Sequence, residues 1–142
     1  MRKSLEIDLA WGGFYASIPA EGGDMTVFRL LDFNRDAYHA AMFAEKFSVL
    51  PTLEQLTSLT PFIGHAPIDA RGLIRDDDLR LIGSKPLTRA DLEGYMYYLE
   101  AHEVPQAEMD ELAERLISFS SEHPLRLQLE IVDDELLISE RE

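Results

Sequence analysis

The chain has 142 residues, 46% of them hydrophobic, with no cysteine and a formal net charge of −14. That length suits one domain with a single sizeable core, and the apolar fraction is too high for a disordered acidic tail. The lack of cysteine excludes disulfides, thiolate metal sites and thiol nucleophiles.

The charge is unevenly placed. Residues 90–142 hold 15 Asp or Glu against 3 Lys or Arg, a balance of −12, which leaves −2 for residues 1–89. Phosphate backbones and anionic lipid surfaces would be repelled by such a field, so neither direct nucleic-acid binding nor membrane association is expected. A basic protein surface would be attracted instead. No apolar run approaches the roughly 20 residues of a membrane span. Glu6 and Asp8 interrupt what would be the apolar core of a leader, so the N-terminus is expected to be retained and the protein cytoplasmic.

In chain order, Leu5, Ile7, Leu9 and Trp11 alternate with Ser4, Glu6, Asp8 and Ala10, the period of a strand with one buried face. Gly12-Gly13 offers a turn into a second strand through Phe14, Ala16 and Ile18, and a third follows from Met25 to Phe33. Together these predict a three-stranded meander. Asn34 has the chemistry of a helix N-cap, which predicts a helix to about Phe47 with Ala40, Phe43, Ala44 and Phe47 on one face. Thr52-Leu53-Glu54-Gln55 has the form of a capping box for a short helix ended by Pro61. Residues 62–85 carry little periodicity beyond a short strand at Leu79 to Ile82. Thr88-Arg89-Ala90-Asp91 begins a helix with Leu92, Tyr95, Met96 and Leu99 on one face, ending near His102. Pro105 begins another, with Met109, Leu112, Ala113, Leu116 and Ile117 as its stripe. Leu125 to Ile131 alternates as a strand, and Asp133-Asp134 turns it into a last strand, Leu136 to Ser139. The fold class expected is α+β over residues 1–142: a mostly antiparallel sheet from an N-terminal meander and a C-terminal hairpin, with about four helices packed on it.

Phosphate loops, dinucleotide fingerprints, nucleophile elbows and paired-histidine zinc motifs are missing from the sequence. No metal site or cofactor is expected: Asp36 and His39 supply only two ligands on one predicted helix face, and His65, His102 and His123 stand apart from one another. Asp76-Asp77-Asp78 lacks the spaced ligands of a calcium loop and reads as a solvated turn. The best catalytic candidates are His65, Asp69 and Arg71 on a Gly- and Pro-punctuated loop, a possible base, orienting carboxylate and anion clamp; the bland reading is a surface loop in which Asp69 caps a turn. Trp11, Phe14 and Tyr15 read as strand packing or as a stacking surface. Tyr97 and Tyr98 cannot both share a core stripe with Tyr95, so one is expected to be exposed.

The expectation is thus a non-enzymatic interaction module of inhibitor, immunity or regulatory type, binding a basic protein through Asp110, Glu111 and Glu114 with Tyr97 or Tyr98 as anchor. The alternatives are a small enzyme or ligand-binding domain built on His65, Asp69 and Arg71, and a structural or regulatory homodimer formed at a sheet edge.

Overall fold

The computed structural model describes residues 2–34, 37–74, 78–122 and 124–141. Asp36, Asp76, Asp77 and His123, which enter the readings above, lie outside the described residues. In order, the elements are β1 (Arg2–Leu9), β2 (Gly13–Ile18), β3 (Thr26–Phe33), β4 (Ala37–Met42), α1 (Leu53–Thr57), β5 (Ile63–Asp69), a 3-10 turn (Ala70–Leu73), β6 (Asp78–Ser84), α2 (Glu93–Ala101), α3 (Gln106–Phe119), β7 (Leu125–Val132) and β8 (Glu135–Glu140). Among the described residues no helix is long and apolar enough to cross a membrane.

The α+β class holds, with two antiparallel sheets: β5-β4-β3-β2-β6 and β1-β7-β8. Alternation along the strands assigns each face. Tyr15, Phe28, Leu30, Tyr38 and Ala40 of the large sheet meet Ile7, Leu9, Leu127 and Leu129 of the small one in a shared core. The intervening residues point the other way. Leu31 and Ala41 pack under Leu92 and Tyr95 of the α2 region and Ala113 and Leu116 of α3, while Phe14, Ala16, Val27 and Phe43 pack under Leu56 of α1. The inner strands are therefore apolar on both faces and the small sheet on one, which is why only the latter shows clean alternation in sequence.

Two expectations are corrected. The N-terminal meander does not include β1, which pairs with β7 through Leu5↔Leu129 and Ile7↔Leu127. At Gly12 the backbone is left-handed, with φ 78°, and a Cβ there would collide with the Lys85 carbonyl oxygen. Gly12 also donates its N–H to Leu30 O at 2.7 Å. Only glycine fits this corner, which passes the chain from one sheet to the other rather than closing a hairpin. The buried Tyr15 hydroxyl fastens it, accepting from Ala10 N at 2.9 Å and donating to Asp8 O at 2.8 Å.

The second correction concerns residues 34–47. Among the described residues there are three α-helices rather than four, because residues 37–42 form β4 between β3 and β5. A strand buried on both faces has an apolar run that fits a helical period equally well, and long-range pairing decides. Asn34 closes the β3–β4 turn: its Oδ1 accepts the Ala37 N–H at 2.9 Å, and its own N–H donates to Ala37 O at 2.9 Å. Ala44, expected in a helical core stripe, is exposed.

The α2 helix begins at Glu93 with Leu92 as its N-cap, beyond the Thr88 start read from the sequence, and α1 ends at Thr57, short of Pro61; other local signals are realised. Thr52 and Gln55 form a reciprocal capping box on α1. Asp133 and Asp134 adopt φ 51° and 66°, the left-handed pair of a two-residue hairpin turn between β7 and β8.

Candidate functional site

A groove of about 550 Å³ lies between α1 and the start of α2, floored by the large sheet. Phe14, Phe43, Leu56, Leu59 and Pro61 give it apolar walls. In its floor is Arg29, a cation in the middle of an inner strand with only 9% of its side chain accessible. All three of its nitrogens bond to the protein: Nε to Gly12 O at 3.1 Å, Nη2 to Lys85 O at 2.9 Å, and Nη1 to Asp91 Oδ1 at 3.2 Å. The guanidinium also lies 4.9 Å from the centre of the Phe14 ring. Burial lowers its pKa and the Asp91 carboxylate opposes that shift. The group stays charged.

Asp91 has a second task. Its Oδ2 accepts the Thr88 N–H at 2.9 Å and the Thr88 hydroxyl at 3.0 Å. The helix-start signature read from Thr88 to Asp91 thus also delivers the counter-charge for Arg29. Across the groove α2 rests on β5, glycine against glycine: a Cβ on Gly94 would lie 3.0 Å from Gly64 C and 3.2 Å from Gly64 O.

That close approach lays α2 aromatics over a histidine pair. His39 Nδ1 and His65 Nε2 share a hydrogen bond of 2.8 Å, and one of the two nitrogens must carry the proton. Tyr95 stacks on both rings, at 4.5 and 4.9 Å, and Tyr98 lies 4.6 Å from His65 and 4.4 Å from His102. A bulge in the β3–β4 register between Leu30 and Asp32 turns Asp32 toward the helices. There it accepts from the Tyr95 hydroxyl at 2.8 Å and from Trp11 Nε1 at 3.3 Å. Burial pushes His65 down to about 4, with His39 adding to the shift, and burial likewise lowers His39 against the pull of Asp32. At neutral pH both imidazoles are uncharged and used on each other.

The residues singled out in sequence separate into three places. His65 joins His39, Tyr95 and Tyr98 on the helix side of the sheet. Asp69 and Arg71 join each other at the 3-10 turn, with Nη2 to Oδ2 at 2.8 Å, and Arg71 Nη1 donates to Asp134 O at 3.2 Å. Asp69 also caps that turn through the Arg71 N–H. Hydrogen bonds from Arg71 hold the Asp69 carboxyl down at about 2. Because His65 and Asp69 are four residues apart on one strand, they are separated by roughly 13 Å.

Of the tyrosines, Tyr97 is the exposed one at 62%, its hydroxyl donating to Glu93 Oε1 at 3.1 Å. Tyr98 is half-buried on the histidines. Glu111 and Glu114 are exposed on α3, while Asp110 accepts from Arg89 Nη2 and Gln106 Nε2, both at 3.0 Å, which lowers its pKa. Trp11, Phe14 and Tyr15 all pack internally, against Phe119, Phe43 and Phe28 respectively.

Reasoning from sequence missed Arg29 and the His39–His65 pair. A signal for the first was present: Val27-Phe28-Arg29-Leu30-Leu31 sets one cation inside an apolar strand, where it requires a buried partner. Among the described residues, no group of three or more His, Asp or Glu is placed to hold a metal ion. In comparison with known proteins, the chain matches no family model, no curated protein and no solved structure.

Proposed function

We propose that the protein is a non-enzymatic, cytoplasmic interaction module of inhibitor, immunity or regulatory type that binds a basic protein. The observation that carries this reading is Tyr97, a large aromatic side chain exposed on α2 beside the groove and flanked by exposed carboxylates at Glu93 and Glu100, with Glu111 and Glu114 also exposed on α3. Aromatic anchors inside a field of one sign combine short-range packing with long-range attraction. The charge-rich strip accelerates encounter, and the ring with the adjoining apolar groove supplies the desolvated contact. Asp110 serves mainly to hold Arg89, so Glu111 and Glu114 carry more of the outward field.

The test is capture of partners from native lysate on the tagged protein, at low and at high salt, with a Glu111→Lys/Glu114→Lys variant and Tyr97→Ala beside the wild type. The expected result is one dominant basic protein, lost as salt rises and lost again with either variant. Capture indifferent to both salt and charge reversal would overturn the reading.

A further inference from the structure

The surface around Tyr97 has a particular layout. Glu93, Tyr97 and Glu100 fall at i, i+4 and i+7 on α2, so carboxylate, ring and carboxylate form one stripe, and all three are exposed. On one flank is the groove of about 550 Å³. On the other is a hollow of about 340 Å³ between α2 and α3, which shares Ala90, Glu93 and Tyr97 with the groove. Tyr97 is the ridge between two depressions.

Charge decides what each depression can receive. The Arg29 charge in the groove floor is already answered by Asp91 at Nη1, while Nε and Nη2 are held by main-chain oxygens. The guanidinium is therefore neutralised and anchored within the protein. Lys85 also lines the groove, so a cation is disfavoured inside it while an apolar body meets Phe14, Phe43 and Leu56. The volume falls within the roughly 300–1,000 Å³ typical of ligand clefts. The hollow beyond the ridge has the opposite character: Glu93 and Glu100 face it, and its one arginine, Arg89, is held by Asp110.

Resting on the charge-directed reading of function, we propose that the groove receives a large apolar side chain of the basic partner, while a neighbouring Lys or Arg of the same segment lies on the Tyr97 ring between Glu93 and Glu100. The ring face and two carboxylates form a seat for one cation, in which ring attraction and charge attraction act together. The apolar anchor supplies affinity and the cation sets the direction in which the segment lies.

The experiment is an NMR titration of the ¹⁵N-labelled full-length protein with three capped pentapeptides, Gly-Arg-Trp-Arg-Gly, Gly-Arg-Ala-Arg-Gly and Gly-Glu-Trp-Glu-Gly. The Arg-Trp-Arg peptide is expected to shift the amides of Thr57, Gly64, Gly94 and Tyr97 saturably. The Arg-Ala-Arg peptide should leave Thr57 and Gly64 in place, and the acidic peptide should shift none of the four. Glu93→Gln/Glu100→Gln, two exposed positions, should weaken the first peptide about fivefold. Shifts confined to α3 would overturn the anchor groove while leaving the charge-directed function standing. Equal groove shifts from the acidic peptide would overturn both. Groove amides that move with the protein's own concentration would assign the groove to a second copy, and no shifts at about 5 mM peptide would overturn the proposal outright.

Discussion

Arg29 on β3 and Asp91 at the head of α2 meet at 3.2 Å, although 62 positions separate them in the chain. The pair connects the centre of the large sheet to the helix that carries Tyr97. Removing either member strands the other charge, and the cost is greater where the stranded group is the more buried one, as Arg29 is at 9% exposure against 32% for Asp91. Asp91→Ala is therefore expected to cost about 3 kcal/mol. Arg29→Met should cost less than that, and urea denaturation of the two variants makes the comparison. The reverse order would show that Arg29 matters through its hydrogen bonds to Gly12 and Lys85 rather than through its charge.

The histidine pair makes stability depend on pH in a defined window. Both imidazoles have folded-state pKa values below the ordinary 6.5, His65 at about 4. Between those limits the unfolded chain binds more protons than the folded one. Their contribution is thus fully present above pH 6.5 and is lost as pH falls toward 4, by about 1.5 kcal/mol for the half-buried His65 once solvent screening is allowed for. Urea midpoints at pH 7 and 4.5 should differ in the wild type and differ less in His65→Phe. Asp69 titrates lower, near 2, and does not confuse the window.

Gly94→Ala separates local propensity from packing. In an exposed helix the change would add roughly 1 kcal/mol of stability. Here the new Cβ would press on the Gly64 main chain at 3.0 Å, and overpacking of this kind costs about 1–3 kcal/mol. A net loss is expected, and thermal unfolding gives its sign directly.

Tyr97→Ala and Tyr98→Ala should divide stability from binding. Tyr98 packs on His39, His65 and His102, so truncating it should cost about 2–3 kcal/mol. Tyr97 should cost less than about 0.5 kcal/mol, as exposed positions do, while weakening partner capture. A stability loss at Tyr97 matching that at Tyr98 would remove it as a binding anchor.

Short-range chemistry was readable from the sequence: the Thr52–Gln55 box, the Asp133-Asp134 turn and the stripe of α3 depend on neighbours a few positions apart. Residues 37–42 were misread because a strand apolar on both faces has no period of its own, and only pairing with β3 and β5 selects it. β1 was misplaced for a related reason. Its alternation identifies a strand with one wet face but says nothing of which strand lies beside it. At the site, helical geometry separated Tyr97 from Tyr98, yet the histidine pair joins β4 to β5 through a register that composition does not encode. Arg29 announced a buried partner without naming Asp91.

The pairing of β1 with β7 has a consequence for synthesis. Leu9 lies opposite Leu125, 116 positions later, so β1 leaves the ribosome well before its partner strand. At typical elongation rates that interval is roughly 6–25 s. Until β7 arrives β1 lacks its sheet partner, and Glu6 and Asp8, alternating with Leu5, Ile7 and Leu9 and so on the opposite face, give the waiting strand the charges that discourage pairing between exposed strands. The same two carboxylates later meet Arg141, at 3.2 and 3.4 Å, once the C-terminal hairpin has arrived.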